Sequence, residues 1–442
     1  MKKVFITTLG CKVNQFESAA FKAGFKEKGM TVVSNNEEAD LIVINTCAVT
    51  AGAGAQSRQT IRQALRHNLS AEIIITGCYA EIAAKELSRE KELKGRSYSL
   101  IGNSKKDGLV AGALIKESGA PEIIMGNISE AREICRLPVR RFGERSRAYL
   151  RVQDGCESFC TYCIVPYTRG PSRSLPVGEV IEQAKIFTEE GHKEIVLTGI
   201  HLGYYGKDLA ENDDLLSLLD KLTIATPKTS YRISSLEPLE INQSLLSLMQ
   251  ERKNIQPHLH IPLQSGSDEI LARMNRRYTI DQFQDVISLC HKSLPDAAIG
   301  IDILAGFPGE TDSHFSHAKD FLQSLYFSYL HVFPYSIRPG TEAAKFKEQV
   351  PKNIKDSRVV QLRSLSDKKK MEFYQSQLNR TRPVLVEGQR DNDGMLKGFT
   401  DNYIAVRFNG PDSLLNSVAD VRLLLLKNDS VIGENITPCK SK

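Results

Sequence analysis

The sequence predicts an α/β protein in three parts: an N-terminal doubly wound parallel sheet, a central partial (β/α)6 barrel and a small C-terminal antiparallel β-barrel. Its length of 442 residues exceeds what one hydrophobic core usually serves. Strand-like and helical runs alternate over the first hundred residues and again after residue 148, while short alternating runs with turn signals follow residue 379. We therefore expect domains at residues 1–130, 148–378 and 379–442, joined by a linker at 131–147.

The composition is that of a folded protein without membrane spans. Hydrophobic residues make up 41% and charged residues 25%, close to the globular average. No stretch approaches the length of a transmembrane helix, and the N-terminal apolar run is too short for a secretory signal, so we expect a cytoplasmic protein. The net charge of +5 allows a nucleic-acid partner without requiring one.

In the N-terminal domain, three strand-like runs each end at a cysteine. The strand-like runs are residues 4–8, 41–45, 73–76 and 100–101, and the cysteines that follow the first three are Cys11, Cys47 and Cys78. Loops beyond the carboxyl ends of parallel strands lie along one edge of the sheet. We therefore expect these thiols to converge, although three separately buried cysteines are the alternative.

The central and C-terminal domains follow from the same kind of pattern. Six strand-like runs alternate with helical stretches in the central domain, at residues 149–153, 194–197, 231–235, 258–262, 299–304 and 329–333. This alternation is typical of a partial (β/α) barrel, which places its working residues at the carboxyl ends of the strands. Three short runs at residues 384–387, 403–408 and 421–426 indicate a small barrel of a kind often used to hold RNA.

A second group of cysteines lies just after the first strand of the central domain. Cys156, Cys160 and Cys163 occur within eight consecutive residues. Three thiolates leave one iron of a four-iron cluster open, and that iron can chelate the amino and carboxylate groups of S-adenosylmethionine. Zinc is the alternative, but it normally requires a fourth ligand from a paired set, and no such set follows here. Cys135, Cys290 and Cys439 do not belong to such a cysteine group, and we assign none of them to metal.

The sequence resembles the radical-SAM methylthiotransferases over nearly its whole length. The resemblance is carried by residues 9–15 (Leu-Gly-Cys-Lys-Val-Asn-Gln), 45–50 (Asn-Thr-Cys-Ala-Val-Thr), 76–78, 155–166, 234–238 (Ser-Ser-Leu-Glu-Pro), 260–267 and 306–310. It implies an N-terminal cluster domain, a radical-SAM barrel and a TRAM-type RNA-binding barrel. It also implies two [4Fe-4S] clusters and S-adenosylmethionine as cofactors.

The first motif indicates the branch of the family. The form Gly-Cys-Lys-Val-Asn, with Lys12 and Val13, is similar to the branch that acts on N6-threonylcarbamoyladenosine at adenosine-37 of tRNA. The isopentenyladenosine branch typically has Gly-Cys-Gln-Met-Asn, and the branch that modifies a ribosomal-protein aspartate has Gly-Cys-Pro-Lys-Asn. These two branches and a non-catalytic iron-sulfur RNA-binding protein are the alternatives.

The resemblance also implies a mechanism and partners. The cluster at Cys156, Cys160 and Cys163 reduces S-adenosylmethionine to a 5′-deoxyadenosyl radical, and the cluster at the other trio carries the sulfur. The implied partners are the tRNA anticodon stem-loop, an electron donor such as flavodoxin or ferredoxin, and a sulfur donor. Gly199, Glu237 and Gln264 follow barrel strands, where we expect them to contact S-adenosylmethionine, although Gly199 also suits a plain turn.

Aromatic and arginine side chains are the candidate RNA contacts. Seven arginines lie between residues 131 and 151: Arg132, Arg136, Arg140, Arg141, Arg145, Arg147 and Arg151. They could neutralise phosphates, and Tyr403 and Phe408 could stack on bases. Solvated surface charge and core aromatics are the alternatives.

Overall fold

The computed structural model describes residues 1–115, 121–143, 146–210 and 213–437. The N-terminal domain alternates strands and helices: β1 Lys3–Thr8, α1 Lys12–Glu27, β2 Thr31–Val33, β3 Leu41–Thr46, α2 Ala51–His67, β4 Glu72–Gly77, α3 Cys78–Leu87, β5 Tyr98–Ile101, α4 Leu109–Ile115 and β6 Glu122–Ile124. The six strands form one sheet in the order β2-β1-β3-β4-β5-β6, and every pairing is parallel. This confirms the doubly wound sheet, whose order reverses between β1 and β3.

The edge strands β2 and β6 are additions to the sequence-based prediction. Each has only three residues, and neither is followed by a cysteine. The three strands that do precede cysteines, β1, β3 and β4, are nonetheless neighbours in the sheet. Their carboxyl ends therefore lie side by side, with the first two flanking the switch point.

The central domain contains six parallel barrel strands and their connecting helices. Its elements are β7 Arg147–Arg151, β8 Gln153–Asp154, α5 Val165–Arg169, β9 Arg173–Ser174, α6 Val177–Glu189, β10 Glu194–Thr198, α7 Leu215–Ala225, β11 Ser230–Ile233, α8 Gln243–Glu251, β12 His258–Gln264, α9 Asp268–Arg273, α10 Ile280–Ser293, β13 Ala298–Ala305, α11 Asp312–Ser324, β14 Tyr329–Pro334 and α12 Lys352–Ser376. The barrel strands pair as β11-β10-β7 and β12-β13-β14. A single parallel bridge between Tyr231 and Ile255 joins the two halves.

Alternation along the barrel strands separates an apolar outer face from a polar lumen. Tyr231 and Ile233 of β11 and Leu259 and Ile261 of β12 belong to the main hydrophobic core, which also contains Phe283 of α10. Because successive side chains of a strand point to opposite faces, the residues between them face the lumen. The lumen-facing positions are Arg147, Glu194, Arg232, Ser234, His258, His260, Asp302, Tyr329 and His331.

The C-terminal domain is a closed five-stranded barrel. Its strands are β15 Thr381–Val386, β16 Leu396–Thr400, β17 Ala405–Asn409, β18 Val418–Lys427 and β19 Ser430–Asn435, and they close in the order β15-β16-β17-β19-β18. Four pairings are antiparallel, and the pairing of β17 with β19 is parallel. An odd number of strands cannot alternate direction all the way around a ring, so one parallel pairing is required.

The predicted domain limits lie near element boundaries. β6 ends at Ile124, β7 begins at Arg147, α12 ends at Ser376 and β15 begins at Thr381. Arg147, placed in the linker by the sequence, is the first residue of a barrel strand. In the described ranges we find no helix with the length and apolar character needed to cross a membrane.

Candidate metal and cofactor site

The first cysteine trio lies at the carboxyl edge of the N-terminal sheet. Cys11 caps the N-terminus of α1, Cys47 follows β3, and Cys78 is the first residue of α3. Gly10 adopts φ +95°, and a Cβ there would lie 2.7 Å from the Cys47 Sγ, so only glycine lets the two loops approach. Helix N-termini stabilise thiolates, which favours ligation by Cys11 and Cys78.

Two asparagines hold the loops that carry these thiols. Asn14 Nδ2 donates to the carbonyl oxygens of Leu9, at 2.7 Å, and Thr46, at 3.0 Å. These bonds join the loop before Cys11 to the end of β3. Asn103 Nδ2 lies 3.9 Å from the Cys78 Sγ and donates at 2.6 Å to the Thr168 carbonyl oxygen of the central domain.

Arg169, the last residue of α5, supplies positive charge to the first trio from the central domain. Its guanidinium is buried, with Nη2 donating at 2.7 Å to Asn14 Oδ1. Burial raises the pKa of the Cys47 thiol to about 11, and the Arg169 charge acts in the opposite direction. The pKa of Cys11 is likewise raised by burial and opposed by Arg169. The Arg169 cation therefore partly offsets the cost of holding thiolates here.

Arg169 belongs to a buried charge network that joins the two domains. Its Nη1 lies 2.9 Å from Asp154 Oδ1 and 3.2 Å from Glu17 Oε1. Lys106 Nζ contacts Glu17 Oε2 at 2.5 Å, and Arg151 Nη1 lies 3.3 Å from Asp154 Oδ2. Although burial alone raises the pKa of Glu17, Lys106, Arg169 and Arg151 lower it to about 2. The Glu17 carboxylate is therefore charged at neutral pH.

The second trio lies in the loop between β8 and α5. Phe159, between the first two of these cysteines, adopts φ +44°, an uncommon conformation for a bulky residue. Residues that directly follow α9 position this loop through hydrogen bonds. Asn275 Nδ2 donates to the carbonyl oxygens of Ser158 and Phe159, both at 3.1 Å, and the Thr161 amide donates at 3.0 Å to the Met274 carbonyl oxygen.

Charged partners of the second trio come from three barrel loops. His201 Nδ1 lies 3.5 Å from the Cys156 Sγ, and its Nε2 lies 2.6 Å from Glu240 Oε1. Although burial raises the pKa of Cys156, the hydrogen bond from His201 lowers it below its ordinary value. Arg276 Nη1 donates at 3.5 Å to the Cys160 Sγ, and its Nη2 contacts Glu237.

A cavity of 220 Å³ opens beside the second trio. Its lining includes Cys160, His201, Glu237 and Arg276, so one of the three predicted cofactor contacts lies here. A Cβ at Gly199 would lie 2.7 Å from Gln153 Oε1, so the space beside this glycine is filled by that side chain.

Gln264 ends β12 with φ +66°, after a register shift between Pro262 and Gln264. It is not among the residues lining the cavity. The roles of Gly199 and Gln264 as cofactor contacts stay predictions.

Both trios fit a cluster better than a single ion. Around one tetrahedral zinc, thiolate sulfurs lie about 3.8 Å apart, given Zn–S bonds of about 2.3 Å. Among the described residues, the one set of three potential ligands with atoms all within 4.8 Å of one another is His260, Asp302 and His331. In each cysteine trio at least one pair of sulfurs is therefore more than 4.8 Å apart, which is wider than one zinc ion requires and compatible with thiolates that bind different irons.

Several candidate RNA contacts occupy other positions than predicted. The prediction for Arg151 is wrong, because its side chain is buried in the charge network. The prediction for Phe408 is also wrong, because it is fully buried in the core of the C-terminal barrel. Tyr403 packs inward, with its ring centroid 4.8 Å from that of His258.

Four arginines of the segment remain at the surface or in a cleft. Arg136 and Arg140 pair with Glu179 and Glu190, each at 3.1 Å, and Arg132 and Arg141 are exposed. Arg145 and Cys439 lie outside the described residues. Cys290 packs in the main core, as expected, and the Cys135 Sγ lies 3.4 Å from the Asn103 carbonyl oxygen, apart from either trio.

Sequence reasoning missed the charged residues that support the cysteines. Arg169, His201, Glu240 and Arg276 carry no motif of their own. Arg169 lies six residues after Cys163. A cation one helical turn or more beyond a ligand cysteine is the only signal that could have drawn attention to it.

Comparison with known sequences places this site in context. Residues 3–95 match the family described as Uncharacterized protein family UPF0004, and residues 150–322 match the Radical SAM superfamily. The radical S-adenosylmethionine methyltransferase TsrM from Kitasatospora setae, solved with cobalamin and a [4Fe-4S] cluster bound, has a TM-score of 0.56 at 12% identity, covering 77% of each chain. The fold and the Cys156–Cys163 loop therefore define a radical-SAM protein.

Proteins that are similar to this chain over nearly its full length identify its family. The chain is 39% identical over 430 residues to the threonylcarbamoyladenosine tRNA methylthiotransferase MtaB of Bacillus subtilis, covering 96% of this chain and 94% of the relative. It is 32% identical over 445 residues to the tRNA-2-methylthio-N(6)-dimethylallyladenosine synthase of Fusobacterium nucleatum, covering 98% and 100%. The chain belongs to the radical-SAM tRNA methylthiotransferase family.

Proposed function

We propose that this enzyme adds a methylthio group to C2 of N6-threonylcarbamoyladenosine at adenosine-37, in the anticodon stem-loop of tRNA. Relatives named for this activity are 39%, 37%, 35% and 32% identical to the chain, from Bacillus subtilis, Aquifex aeolicus, Rickettsia prowazekii and Thermotoga maritima. Relatives named for dimethylallyladenosine are 30–33% identical. The identities of 35–39% in the first group and the Lys12-Val13 pair support the threonylcarbamoyladenosine substrate.

The observation that carries the proposal is the direct link between the two cysteine trios. α5 begins two residues after Cys163 and ends at Arg169, whose guanidinium lies beside Asn14 and electrostatically near Cys11. A methylthio transfer needs a hydrogen-abstracting centre and a sulfur-donating centre that serve one substrate atom. A buried, charge-paired connection supports the view that the two centres act on one bound nucleoside.

Two four-iron clusters and S-adenosylmethionine are the cofactors that fit this arrangement. Cys156, Cys160 and Cys163 would hold one cluster, and Cys11, Cys47 and Cys78 the other. When bound, the clusters supply the electron for S-adenosylmethionine cleavage and the attachment point for sulfur. The protein contributes cations beside the thiolates: Arg276 at Cys160 and Arg169 near the first trio.

Two basic clefts support a tRNA partner. A cavity of 610 Å³ between the central and C-terminal domains is lined by Arg147, Tyr149, Lys397 and Phe399, among others. A second, of 600 Å³, is lined by Lys22, Lys26, Arg140 and Arg141 beside Gly10. Lysine and arginine neutralise phosphates, and aromatic rings stack on unpaired bases. We propose that the closed C-terminal barrel is of the TRAM type and forms one wall of the RNA site.

The remaining partners follow from the chemistry. Each turnover consumes electrons and sulfur, so we propose a low-potential donor such as flavodoxin or ferredoxin and a separate sulfur donor. A substrate tRNA is available in the cytoplasm, where we propose that the enzyme acts.

The test is mass spectrometry of nucleosides from tRNA incubated with the anaerobically reconstituted enzyme, S-adenosylmethionine, sulfide and dithionite. We expect a methylthio increment on threonylcarbamoyladenosine. An increment on isopentenyladenosine instead would refute the substrate assignment while retaining the chemistry. Release of 5′-deoxyadenosine without any change in tRNA would point to a protein substrate.

A further inference from the structure

Polar side chains face the lumen of the central barrel, and neither cysteine trio lies among them. We define the lumen chamber by the lumen-facing residues Arg147, Glu194, Arg232, Ser234, His258, His260, Asp302 and His331, together with Lys12. The ring of Tyr403 from the C-terminal domain closes one end, with Arg232 Cζ 4.9 Å from its centroid. A barrel of this size usually fills its lumen with apolar side chains, so a charged lumen indicates a ligand.

Four buried atoms of the lumen chamber have no hydrogen-bond partner among the described residues. One of them, Asp302 Oδ1, lies in ion-pair contact with His260 and His331, and the other three are Arg232 Nη1, Ser234 Oγ and His258 Nδ1. All three side chains are more than nine-tenths buried, at 3%, 8% and 6% exposure. Buried polar groups without partners are rare in native proteins, and several in one chamber indicate that a polar ligand supplies the missing bonds.

Lys12 brings an additional positive charge into this chamber. Its side chain is solvent-exposed, yet its strongest electrostatic neighbours are the barrel residues Arg232, Arg147, Glu194 and Asp302. The ammonium group of Lys12 is therefore near enough to the charged residues of the barrel lumen to interact with them electrostatically. It forms no hydrogen bond or ion pair with the described residues.

The charges in the chamber leave one positive charge unmatched. Arg232 is paired with Glu194, whose Oε2 lies 2.9 Å from Nη2, and Arg147 contacts the same carboxylate at 2.5 Å. The Asp302 carboxylate is held by the two histidines, with Oδ1 3.1 Å from His260 Nε2 and 3.3 Å from His331 Nδ1. Two arginines and two carboxylates balance, so the Lys12 charge is available to a ligand with one negative charge.

We propose that the lumen chamber receives the threonylcarbamoyl group of the substrate nucleoside and that Lys12 and Arg232 bind its carboxylate. This inference rests on the proposed function. The threonylcarbamoyl group carries one carboxylate, one hydroxyl and amide N–H groups. It can therefore accept from Arg232 Nη1, exchange a hydrogen bond with Ser234 Oγ and neutralise Lys12.

The same chamber disfavours an apolar substituent. An isopentenyl group offers no hydrogen bonds, so it would leave the buried Arg232 and Ser234 atoms without the partners that a polar ligand supplies. The residue at position 12 is accordingly a specificity determinant. Lys12 follows Cys11 directly, which brings this determinant next to the first cysteine trio.

The test compares full-length reconstituted enzyme with its Lys12→Gln variant. The probes are anticodon stem-loops with threonylcarbamoyladenosine or with unmodified adenosine at position 37. We expect Lys12→Gln to raise the Kd for the threonylcarbamoyl stem-loop about tenfold to a hundredfold, the range for one lost charged hydrogen bond. The Kd for the unmodified stem-loop should stay unchanged. Lys12→Arg, which keeps the charge, should bind like wild type within about threefold, as should the surface control Lys28→Gln.

A second measurement does not depend on any variant. A stem-loop whose threonylcarbamoyl carboxylate is a neutral methyl ester should bind the wild-type enzyme about tenfold to a hundredfold more weakly than the free acid. Equal binding of acid and ester, or wild-type affinity in Lys12→Gln, overturns the inference. If either result appears while the wild type still methylthiolates the acid, the proposed function stands and only the role of the chamber is wrong.

Discussion

The side chain of Arg169 reaches from the end of the helix that follows the second cysteine trio to Asn14, which holds the loop of the first. The Nη2–Oδ1 distance is 2.7 Å. Asn14 in turn donates to the backbone on both sides of the sheet's switch point, at Leu9 and Thr46. One pair of residues therefore connects the geometry of the two cysteine trios.

Replacing Arg169 by alanine should weaken both the fold and the first metal centre. The substitution leaves the buried carboxylates of Glu17 and Asp154 short of a partner, so we expect the free energy of unfolding to fall by about 3–5 kcal/mol. Urea denaturation measures this loss, and iron analysis should show less metal. Arg132→Ala, an exposed arginine, is the control and should change stability by less than about 0.5 kcal/mol. Equal stability of both variants would contradict the network's role.

Substitutions in the two cysteine trios should affect different steps of the reaction. Cys11→Ala is expected to spare cleavage of S-adenosylmethionine and to abolish sulfur insertion, because it alters only the N-terminal trio. Cys160→Ala is expected to abolish both reactions. The measurements are 5′-deoxyadenosine release and methylthio product from the same reaction mixture, with iron content lower by about four per chain in each variant. Full methylthio product from Cys11→Ala would disprove the division of labour.

Arg276→Met should impair binding of S-adenosylmethionine. The substitution removes the cation beside the Cys160 Sγ and leaves Glu237 unpaired in the 220 Å³ cavity. We expect the Kd for S-adenosylmethionine to rise about tenfold, as for loss of one charged contact. Equilibrium dialysis on reconstituted enzyme measures it, with Arg252→Met, whose guanidinium pairs with Asp220 on the surface, as control. An unchanged Kd would remove Arg276 from the cofactor site.

Glu194→Gln should change the response of stability to acid. Although burial raises the pKa of Glu194, Arg232 and Arg147 lower it below the ordinary 4.5. A carboxylate with a depressed pKa stabilises the fold above pH 4.5, and this contribution is lost as the pH falls through the lower value in the folded state. We therefore expect wild type to exceed the variant in unfolding free energy by about 3–5 kcal/mol at pH 7.

The difference in unfolding free energy between wild type and Glu194→Gln should become smaller as the pH is lowered below 4.5. Urea unfolding at pH 7, 5 and 3.5 measures this. Glu179→Gln, which breaks an exposed pair with Arg136, should show almost no gap at any pH. A gap for Glu194→Gln that does not vary with pH would indicate a packing effect rather than a charge effect.

Long β-branched runs were enough to predict the architecture from sequence, and the cysteine spacing indicated both trios, whose role as cluster ligands stays a prediction. The strands that sequence patterns missed are short or interrupted: β2 and β6 have three residues each, and β16 and β19 each contain a glycine. Such segments become strands because neighbouring strands offer hydrogen bonds. These neighbours are set by the tertiary structure and cannot be identified from the local sequence. The conformation of these residues is thus decided by their partners in the sheet.

The misplaced aromatic and arginine contacts have a related cause. Phe408 and Arg151 both lie on strands, where a shift of one residue decides between core and surface. The run around Phe408 alternates between apolar Val406 and Phe408 and polar Arg407 and Asn409, and this alternation by itself indicates that the phenyl ring lies on the buried face of the strand. A polar lumen was likewise not evident from sequence. Alternation along a strand places His258, His260 and Asp302 on the polar face, but it does not indicate whether that face contacts solvent or the interior of a barrel.

α5 acts as a spacer of fixed length between the two cysteine trios. It has five residues, and one residue advances an α-helix by about 100° and 1.5 Å. Inserting a single alanine would turn Arg169 away from Asp154 and Asn14 while leaving Cys163 in place. Chain length between Cys163 and Arg169 is therefore under tighter constraint than side-chain identity at exposed Tyr167, whose ring is 49% accessible. In directed evolution of this enzyme, substitutions at Tyr167 should be recovered freely, and insertions or deletions between Cys163 and Arg169 should not.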